Sequence, residues 1–413
     1  MPNRTRNILM LVLFLDAAAM SMIIPALPHL LVDLTGSTFG EAAVLGGLLL
    51  ASFALMLFLC GPLVGNLSDR YGRKPLMLMA IGANCLDFII LTLSPLFWPL
   101  FIGRILAGIT GASFTVAGGF MADLTPKEER ASAFGIVAGT FALGMVIGPA
   151  IGGYVAVFGI KAPFAVAALL SAINIVAIAL MLPESLSKEN RRPFALARAN
   201  PVGAFSAVTG DPVLRRLVIA VLVFAIATQV FPVIWPYYTV EAFGFTPLMT
   251  GVSYTVLGLA MAASQGVLVK VSVAAISEVP TVRYAILCGM ATLIALLFVT
   301  NGRVFLAMIP LIAVTFVVAP TIQGMMSNRM GEDRQGELMG LFASLTALSM
   351  MIGPILMSGV FQVFTDADAI VYAPAAPFAL AAILMGLALY LFDVAEIRTA
   401  YPKPQKDLAS EGE

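Results

Sequence analysis

The chain contains few charged residues, one histidine and no paired cysteines. Charged residues make up 11% of its 413 residues, and hydrophobic residues make up 60%. Soluble proteins are normally about one quarter charged, so this composition excludes an ordinary soluble domain. Cys60, Cys85 and Cys288 stand alone in apolar segments and offer neither metal-ligand spacing nor a disulfide framework. The net charge is zero, which gives no reason to expect a nucleic-acid partner.

Long apolar runs predict that the chain crosses a membrane many times. A spanning helix needs about 20 mostly apolar residues. The first run follows Arg4 and Arg6 as the core of a signal peptide would, but it continues for about twenty residues, so we predict a helix that is retained. The twelve predicted spans are 8–28, 43–66, 75–94, 97–122, 131–156, 162–182, 215–240, 248–270, 283–300, 303–328, 337–361 and 373–393.

A repeat relates the first six spans to the last six. The segment GMVIGPAIGG (144–153) aligns with SMMIGPILMS (349–358) at an offset of 205 residues, which also superposes two polar turns. A repeat of six spans in the same direction implies two bundles related by a pseudo-twofold axis along the membrane normal. We therefore predict an all-α integral membrane protein of 12 transmembrane helices. Its parts are an N-terminal bundle (1–182), a cytoplasmic central loop (183–214), a C-terminal bundle (215–396) and a cytoplasmic tail (397–413).

The basic residues predict the orientation of the chain. With both termini in the cytoplasm, twenty lysines and arginines fall inside, and only Lys161 and Arg303 fall in outer turns. This bias predicts a multi-pass protein of the inner (plasma) membrane. The only histidine, His29, is then expected to be a solvated loop residue at the outer boundary.

Three ionisable residues interrupt the N-terminal spans. Asp16 lies near the middle of span 1, Asp87 in span 3, and Arg104 near the outer end of span 4. Such groups are costly in a membrane, so each is a functional hypothesis. Two interpretations stay open. The carboxylates are neutralised by Arg104 or by protonation and stabilise one bundle, or they form a proton or substrate site, since loss of water favours a neutral carboxyl. A structural role is stronger for Arg104, which is always charged and cannot carry the proton.

The C-terminal half has amides and aromatic residues where the N-terminal half has acids. Tyr237 and Tyr238 lie near the end of span 7, and we predict that they belong to the aromatic belt at the membrane interface. The other polar groups are predicted to line a cavity for an amphipathic organic molecule. They are Gln229 and Trp235 in span 7, Gln265 in span 8 and Gln323 in span 10.

The most polar stretch of the first hundred residues is GNLSDRYGRKP (65–75), between spans 2 and 3. Its two glycines predict a tight reversal of the chain, and a carboxylate there can accept hydrogen bonds from a helix N-terminus. Its basic residues also enforce the topology. The stretch fits the pattern G-x-x-x-D-R-x-G-R-K with Gly65, Asp69, Arg70, Gly72, Arg73 and Lys74.

Span 5 carries a second pattern, G-x-x-x-G-P-x-x-G-G. Small residues spaced by four allow close helix packing, and the proline removes a backbone hydrogen bond and permits bending. The pattern is formed by Gly144, Gly148, Pro149, Gly152 and Gly153.

These two motifs, at these places among twelve spans, resemble those of the major facilitator superfamily. The stretches LDAAAMSMIIPALPHL, SDRYGRKPLMLMAIGANCLDFIILTLS, GRILAGITGAS and APTIQGMMS are similar to the tetracycline/proton antiporter branch of drug:proton antiporters. The resemblance implies that Asp69, Arg73 and Asp123 form a latch that holds the cytoplasmic side closed. It further implies that the span 5 motif restricts leak, that Gln323 lines the cavity, and that Asp16, Asp87 and Arg104 are essential.

The chain departs from that branch at two positions. The branch has a carboxylate in span 9 and a histidine in span 8, where this chain has Thr292 and Met261. Proton coupling is therefore expected to rest on Asp16 and Asp87. The expected substrate is an undefined or multidrug-like organic compound and not the metal–tetracycline complex. At the offset of 205, the second copy of the latch motif is eroded, since Ala274 takes the place of Asp69.

The sequence therefore predicts a secondary transporter that exports amphipathic organic compounds in exchange for protons by alternating access. Protons are the coupling ion, no other cofactor or metal is expected, and the expected partners are the lipid bilayer and a small organic substrate, with the chain a monomer. One alternative is a proton-independent facilitator or a symporter whose carboxylates bind a cationic group. A receptor without turnover is disfavoured because the sequence shows no sizeable soluble domain that could signal. An enzyme is disfavoured because the sequence shows no nucleophile–base set.

Overall fold

A computed structural model describes residues 2–111, 113–194, 211–330 and 334–394. Within these ranges every regular element is helical, and eleven helical stretches are long and apolar enough to cross a membrane. The shorter apolar helix Ala376–Phe392 takes the twelfth position. The predicted all-α fold with twelve spans is confirmed. The predicted tail 397–413 and residues 195–210 of the central loop lie outside the described residues.

The N-terminal six spans are formed by eight helices. They are α1 (Pro2–Met22), α2 (Leu27–Thr35), α3 (Phe39–Tyr71), α4 (Arg73–Leu93), α5 (Phe97–Thr110), α6 (Ser113–Leu124), α7 (Arg130–Val155) and α8 (Ala162–Met181). The last six spans are formed by ten helices. They are α9 (Pro212–Thr228), α10 (Val230–Phe243), α11 (Pro247–Ala263), α12 (Val269–Ile276), α13 (Glu278–Leu296), α14 (Gly302–Ala307), α15 (Ile309–Val314), α16 (Val318–Met330), α17 (Gln335–Val363) and α18 (Ala376–Phe392).

Several spans are interrupted where the sequence predicted one continuous helix. In span 1, α1 ends at Met22 and α2 begins at Leu27, with Pro25 between them. Proline has no amide hydrogen to donate, which favours a break. Spans 4, 7, 8 and 10 are broken at Gly111, Gln229, the π-helical turn Ser264–Leu268 and Met308.

Other helices are longer than the apolar runs that predicted them. Helix α3 begins four residues before the predicted span because Thr38 caps it: its hydroxyl accepts from the amide of Glu41 at 3.2 Å. The Glu41 carboxylate accepts from the Thr38 amide at 2.9 Å in return, a capping box. Hydropathy predicted the apolar part of the helix and missed the polar turn at its start.

The chain divides into two compact units. Unit one contains Met1–Val202, Gln229–Gly258 and Met350–Pro377, and unit two contains Gly203–Thr228, Leu259–Ser349 and Phe378–Glu413. These packing units divide spans 7, 8, 11 and 12. The bundles at 1–182 and 215–396 were predicted from the repeat and stay a prediction.

Each unit has its own helix packing. In unit one, α1 packs along α7 and α8, and α4 packs against α5 and α8 around a core that includes Leu13, Met77 and Phe120. In unit two, α13 packs against α15 and α16. Large apolar side chains such as Leu180 are exposed on the outside of the helices, as lipid-facing residues of a membrane protein are.

Candidate functional site

Asp16 lies in a polar pocket made by three helices of unit one. Its side chain on α1 is 1% exposed. The Asn84 amide on α4 donates to Oδ1 at 3.1 Å, and the Ser113 hydroxyl at the start of α6 donates to Oδ2 at 2.7 Å. Ion pairs among the described residues do not include Asp16. Both carboxyl oxygens are therefore satisfied by neutral donors alone.

The break in span 4 explains why Ser113 reaches Asp16. Ser113 is the first residue of α6, and the N-terminal end of a helix carries partial positive charge. Asn84 lies three residues before Asp87, within one turn of α4. Neither partner was predicted from the sequence, although a polar asparagine inside an apolar span is a signal that could have found Asn84.

Asp87 has a charged partner. The Arg104 guanidinium on α5 donates from Nε to Oδ1 at 3.1 Å and forms an ion pair through Nη2 with Oδ2. The guanidinium carbon also lies 5.9 Å from the ring centres of both Phe53 and Phe88, within range of cation–π attraction. Gly103 leaves room for the carboxylate, since an added Cβ would lie 2.6 Å from Oδ1. This geometry matches the interpretation in which Arg104 neutralises a carboxylate.

Unit one contains a cavity of about 200 Å³ beside this pair. Arg104, Gln229 and Tyr237 supply polar groups to an otherwise mainly apolar lining. Trp235 does not line this cavity. Its indole donates to the Ser253 hydroxyl at 2.9 Å and its side chain is fully buried.

The prediction for Tyr237 and Tyr238 was wrong. These side chains are 3% and 2% exposed, whereas residues of an interface belt face the lipid. Tyr237 packs its hydroxyl over Gly46 of α3, where only a glycine leaves space for it. No described residue makes a hydrogen bond to that hydroxyl. The Tyr237 side chain is buried because it packs against Gly46, which lies almost two hundred residues earlier in the chain.

His29 is also placed differently from the prediction of a solvated loop residue. It lies in α2, is half-buried, and packs edge-on against Phe39 with ring centres 5.5 Å apart. The cause is the extra helix α2, which the prediction of one continuous span did not include.

Unit two contains a second cavity, of about 240 Å³. Gln265 and Gln323, both predicted as cavity residues, lie in its wall together with Phe316 and Phe342. Gln265 is part of the π-helical turn Ser264–Leu268, and π-turns occur often at functional sites. The structure thus places the two predicted amides on one cavity.

The latch residues lie together in unit one. Arg73 Nη1 is 2.7 Å from Asp69 Oδ1, and Arg73 Nε donates to Asp123 Oδ2 at 3.1 Å. Lys74 Nζ donates to the carbonyl of Ala179, and Arg70 lies over the ring of Tyr71. Asp69, Arg73 and Asp123 therefore form one charged cluster, and its role as a latch stays a prediction.

Two details of the turn differ from the prediction. Gly65 lies inside α3, and an added Cβ there would meet nothing within 4 Å, so only Gly72, with φ of 110°, makes the reversal. The carboxylate that accepts from the N-terminus of α4 belongs to Glu184, in the central loop. That acceptor was predicted inside the turn.

The span 5 motif makes close contacts on two sides. An added Cβ on Gly144 or Gly148 would lie 2.6 Å from a carbonyl oxygen of α1, and one on Gly152 would overlap the Met22 carbonyl. On the other side, an added Cβ on Gly153 would lie 2.5 Å from the Pro247 carbonyl at the start of α11. The Pro149 carbonyl of α7 likewise faces Gly251 of α11.

The close contact between α7 and α11, here called a glycine crossing, has a counterpart between α3 and α17 that the repeat relates to it. Gly47 of α3 faces the carbonyl of Pro354 and the hydroxyl of Ser358 on α17. At the offset of 205, Pro354 corresponds to Pro149 and Ser358 to Gly153. The same two positions of the motif thus approach a glycine in both copies.

Comparison with known proteins shows what the chain as a whole is similar to. The family model described as Major Facilitator Superfamily matches residues 9–354. The class C tetracycline resistance protein of Escherichia coli is 35% identical over 351 residues, which cover 84% of this chain and 87% of the relative. The class B protein of Escherichia coli is 29% identical, covering 87% and 89%.

Solved structures share the fold. The human organic anion transporter MFSD10 (TETRAN) is 25% identical, with a TM-score of 0.67 over 94% of this chain and 99% of that one. The nucleoside transporter NupG, solved as a point mutant, is 10% identical, with a TM-score of 0.77 over 96% and 100%, a likeness of fold alone.

Proposed function

The chain belongs to the major facilitator superfamily, and we propose that it exports amphipathic organic compounds in exchange for protons. In this proposal it works as a monomer in the plasma membrane with both termini in the cytoplasm. Protons are its coupling ion, and it needs no other cofactor. The observation that carries the proposal is Asp16, a carboxyl group buried in the first span with neutral hydrogen-bond partners.

The surroundings of Asp16 suit a group that gains and loses a proton. Burial without a cation disfavours the ionised form, so binding of a proton removes a large desolvation cost. A serine hydroxyl can donate to a carboxylate or accept from a carboxylic acid. Ser113 can thus serve both states of Asp16, while Asn84 donates to the other oxygen in each. The pocket tolerates the change of charge without a rearrangement of the backbone.

The two cavities support a substrate that is both apolar and hydrogen-bonding. The lining of unit one offers an arginine, an amide and a phenol among mainly apolar side chains, and that of unit two offers two amides and two phenylalanines. A molecule with a flat apolar body and several oxygen acceptors fits this chemistry. The relatives named as tetracycline resistance proteins make tetracycline a suitable probe.

In the proposed cycle a proton enters from the outer side and binds Asp16, which favours release of the substrate there. The two bundles then rock, the proton leaves to the cytoplasm, and new substrate binds. The glycine crossings at Gly251 and Gly47 lie in the halves of the spans that the orientation places outside. We propose that these crossings close the outer side when they form.

The test is exchange driven by a pH gradient in proteoliposomes, with tetracycline as the probe. We expect Asp16→Asn to reduce the rate to about a tenth or less, a loss of roughly 1.4 kcal/mol or more of transition-state stabilisation. The variant should still fold, because asparagine has nearly the same shape: its amide oxygen can accept from Asn84, and its amide nitrogen can donate to the Ser113 hydroxyl oxygen. Asp368→Asn, at an exposed loop position, is the control and should leave the rate unchanged. Undiminished exchange in Asp16→Asn would contradict the assignment, and tetracycline movement without proton movement would favour a facilitator.

A further inference from the structure

The beginning of the central loop lies against the latch. Residues 183–192, here called the loop segment, contact the turn between α3 and α4 and the end of α6. Leu186 anchors the segment with a side chain that is buried. The Arg192 amide donates to the Asp69 carbonyl at 3.0 Å. The first part of the central loop is therefore fastened to unit one.

Glu184 supplies what the start of α4 lacks. The N-cap residue of α4 is Gly72, which has no side chain to accept from the first amides of the helix. Glu184 Oε1 accepts from the Arg73 amide at 2.8 Å, and Oε2 accepts from the Lys74 amide at 3.2 Å. An added Cβ on Gly72 would lie 2.7 Å from the carboxyl carbon of Glu184. Gly72 thus provides both the left-handed backbone and the space for this distant cap.

The next residue of the loop segment contacts the latch itself. The Ser185 hydroxyl donates to Asp123 Oδ2 at 2.9 Å, the same oxygen that accepts from Arg73 Nε. Glu184 holds the backbone of Arg73 while Ser185 holds one of its two carboxylate partners. Loss of the cap would free the first turn of α4 and with it the direction of the Arg73 side chain.

We propose that Glu184 is a positioning residue of the latch. It fixes the backbone of Arg73 and Lys74, so that the guanidinium bridges Asp69 and Asp123, and it makes the loop segment part of the latch. Opening of the latch then involves the loop segment, which is the first part of the central loop between the two halves of the protein. This inference rests on the proposed transport cycle and on the latch role that the resemblance implies for Asp69, Arg73 and Asp123, and on neither the substrate nor proton coupling.

The test measures accessibility from the cytoplasmic side. A reporter, Ala319→Cys, is placed in the wall of the unit-two cavity in a background without Cys60, Cys85 and Cys288, and inside-out vesicles are treated with a membrane-impermeant maleimide. We expect Glu184→Ala to raise the labelling rate about two- to thirtyfold, the range that corresponds to loss of a helix cap. Glu184→Gln keeps a side-chain oxygen acceptor and should restore part of the difference. Asp368→Ala removes an exposed carboxylate that lies outside both the loop segment and the latch, and it should leave the rate unchanged.

A double variant separates positioning from general loosening. If Glu184 acts through Arg73, Asp69→Asn combined with Glu184→Ala should raise labelling no more than the larger single effect. An unchanged rate in Glu184→Ala, or effects that multiply in the double variant, would overturn the proposal. The assay needs no substrate and no pH gradient, so its outcome is independent of the exchange test on Asp16. If Glu184→Ala does not accumulate in the membrane, Glu184→Gln and Ser185→Ala carry the same comparison.

Discussion

Asp16 and Asp87 are the same residue type at the same burial, yet their surroundings differ in charge. Each is 1% exposed and each lies inside a span of unit one. Asp87 forms an ion pair with Arg104, whereas Asp16 has a serine and an asparagine as partners. This difference shows that burial alone does not decide what a membrane carboxyl group does. In the proposed function, the charge of its partner decides whether the carboxyl group holds the structure or exchanges a proton.

The energetics of the two sites differ accordingly. A buried ion pair offsets part of its desolvation cost by attraction, and removal of one partner leaves an uncompensated charge. A buried carboxyl group with neutral donors is least costly when protonated, because a neutral group loses less on leaving water. Asp87 is therefore expected to stay ionised through the cycle, and Asp16 is expected to change its charge.

The largest expected effect breaks the ion pair. Arg104→Leu should destabilise the protein by roughly 3–5 kcal/mol, because Asp87 is then buried without its cation and must either stay charged or take up a proton. The double variant Asp87→Leu with Arg104→Met removes both charges and should recover most of that loss. Thermal unfolding of the detergent-solubilised protein measures both. If the double variant is as unstable as the single one, the pair is not what holds these helices.

A smaller loss of stability is expected from a substitution that displaces the Asp87 carboxylate without removing a charge. Gly103→Ala places a methyl group 2.6 Å from Asp87 Oδ1 and should cost about 1–3 kcal/mol through overpacking. Gly82→Ala is the matched control, since its added Cβ meets nothing within 4 Å. Thermal unfolding should therefore separate the two variants. Equal stability of both would show that the carboxylate can shift freely and would weaken the structural role of the pair.

The next effect is specific to Asp16. Ser113→Ala removes the donor to Oδ2 and should destabilise the protein by about 1 kcal/mol while it slows proton-driven exchange. Ser171→Ala is the control, because this buried hydroxyl has no hydrogen-bond partner among the described residues. In an Asp16→Asn background the Ser113 change should slow exchange no further. A further loss there would mean that Ser113 acts apart from Asp16.

The smallest effect comes from a pair in unit two that is partly exposed. Arg329 donates to Asp211 at 2.6 Å, and this hydrogen bond, with those from two backbone amides, lowers the pKa of Asp211 below its ordinary 3.8. A lowered pKa stabilises the folded protein above the ordinary value, and that contribution is lost as the pH falls below 3.8. Asp211→Asn should therefore cost at most about 1 kcal/mol at neutral pH, since partly exposed pairs are screened. Unfolding at neutral and acidic pH measures the difference, and a cost that persists in acid would contradict this origin.

The sequence predicted the helical fold, the spans and the candidate residues because hydropathy and intramembrane charge are local signals. It left open which carboxyl group Arg104 neutralises, because α4 and α5 decide that by their packing. Tyr237 was predicted at the interface, and only its contact with Gly46 shows why it is buried. Glu184 was invisible as a cap, since 111 residues separate it from Arg73. The contacts of Tyr237 and Glu184 join distant segments, which no local pattern encodes.

The most direct test of the central claim is the protonation of Asp16, measured by infrared difference spectroscopy of the purified protein in lipid. A protonated carboxyl group has a C=O band that a carboxylate lacks. We predict such a band in the natural protein, its loss in Asp16→Asn, its retention in Asp87→Asn, and its decrease when tetracycline binds. Identical spectra for the natural protein and Asp16→Asn at every pH would contradict the claim that Asp16 carries the proton.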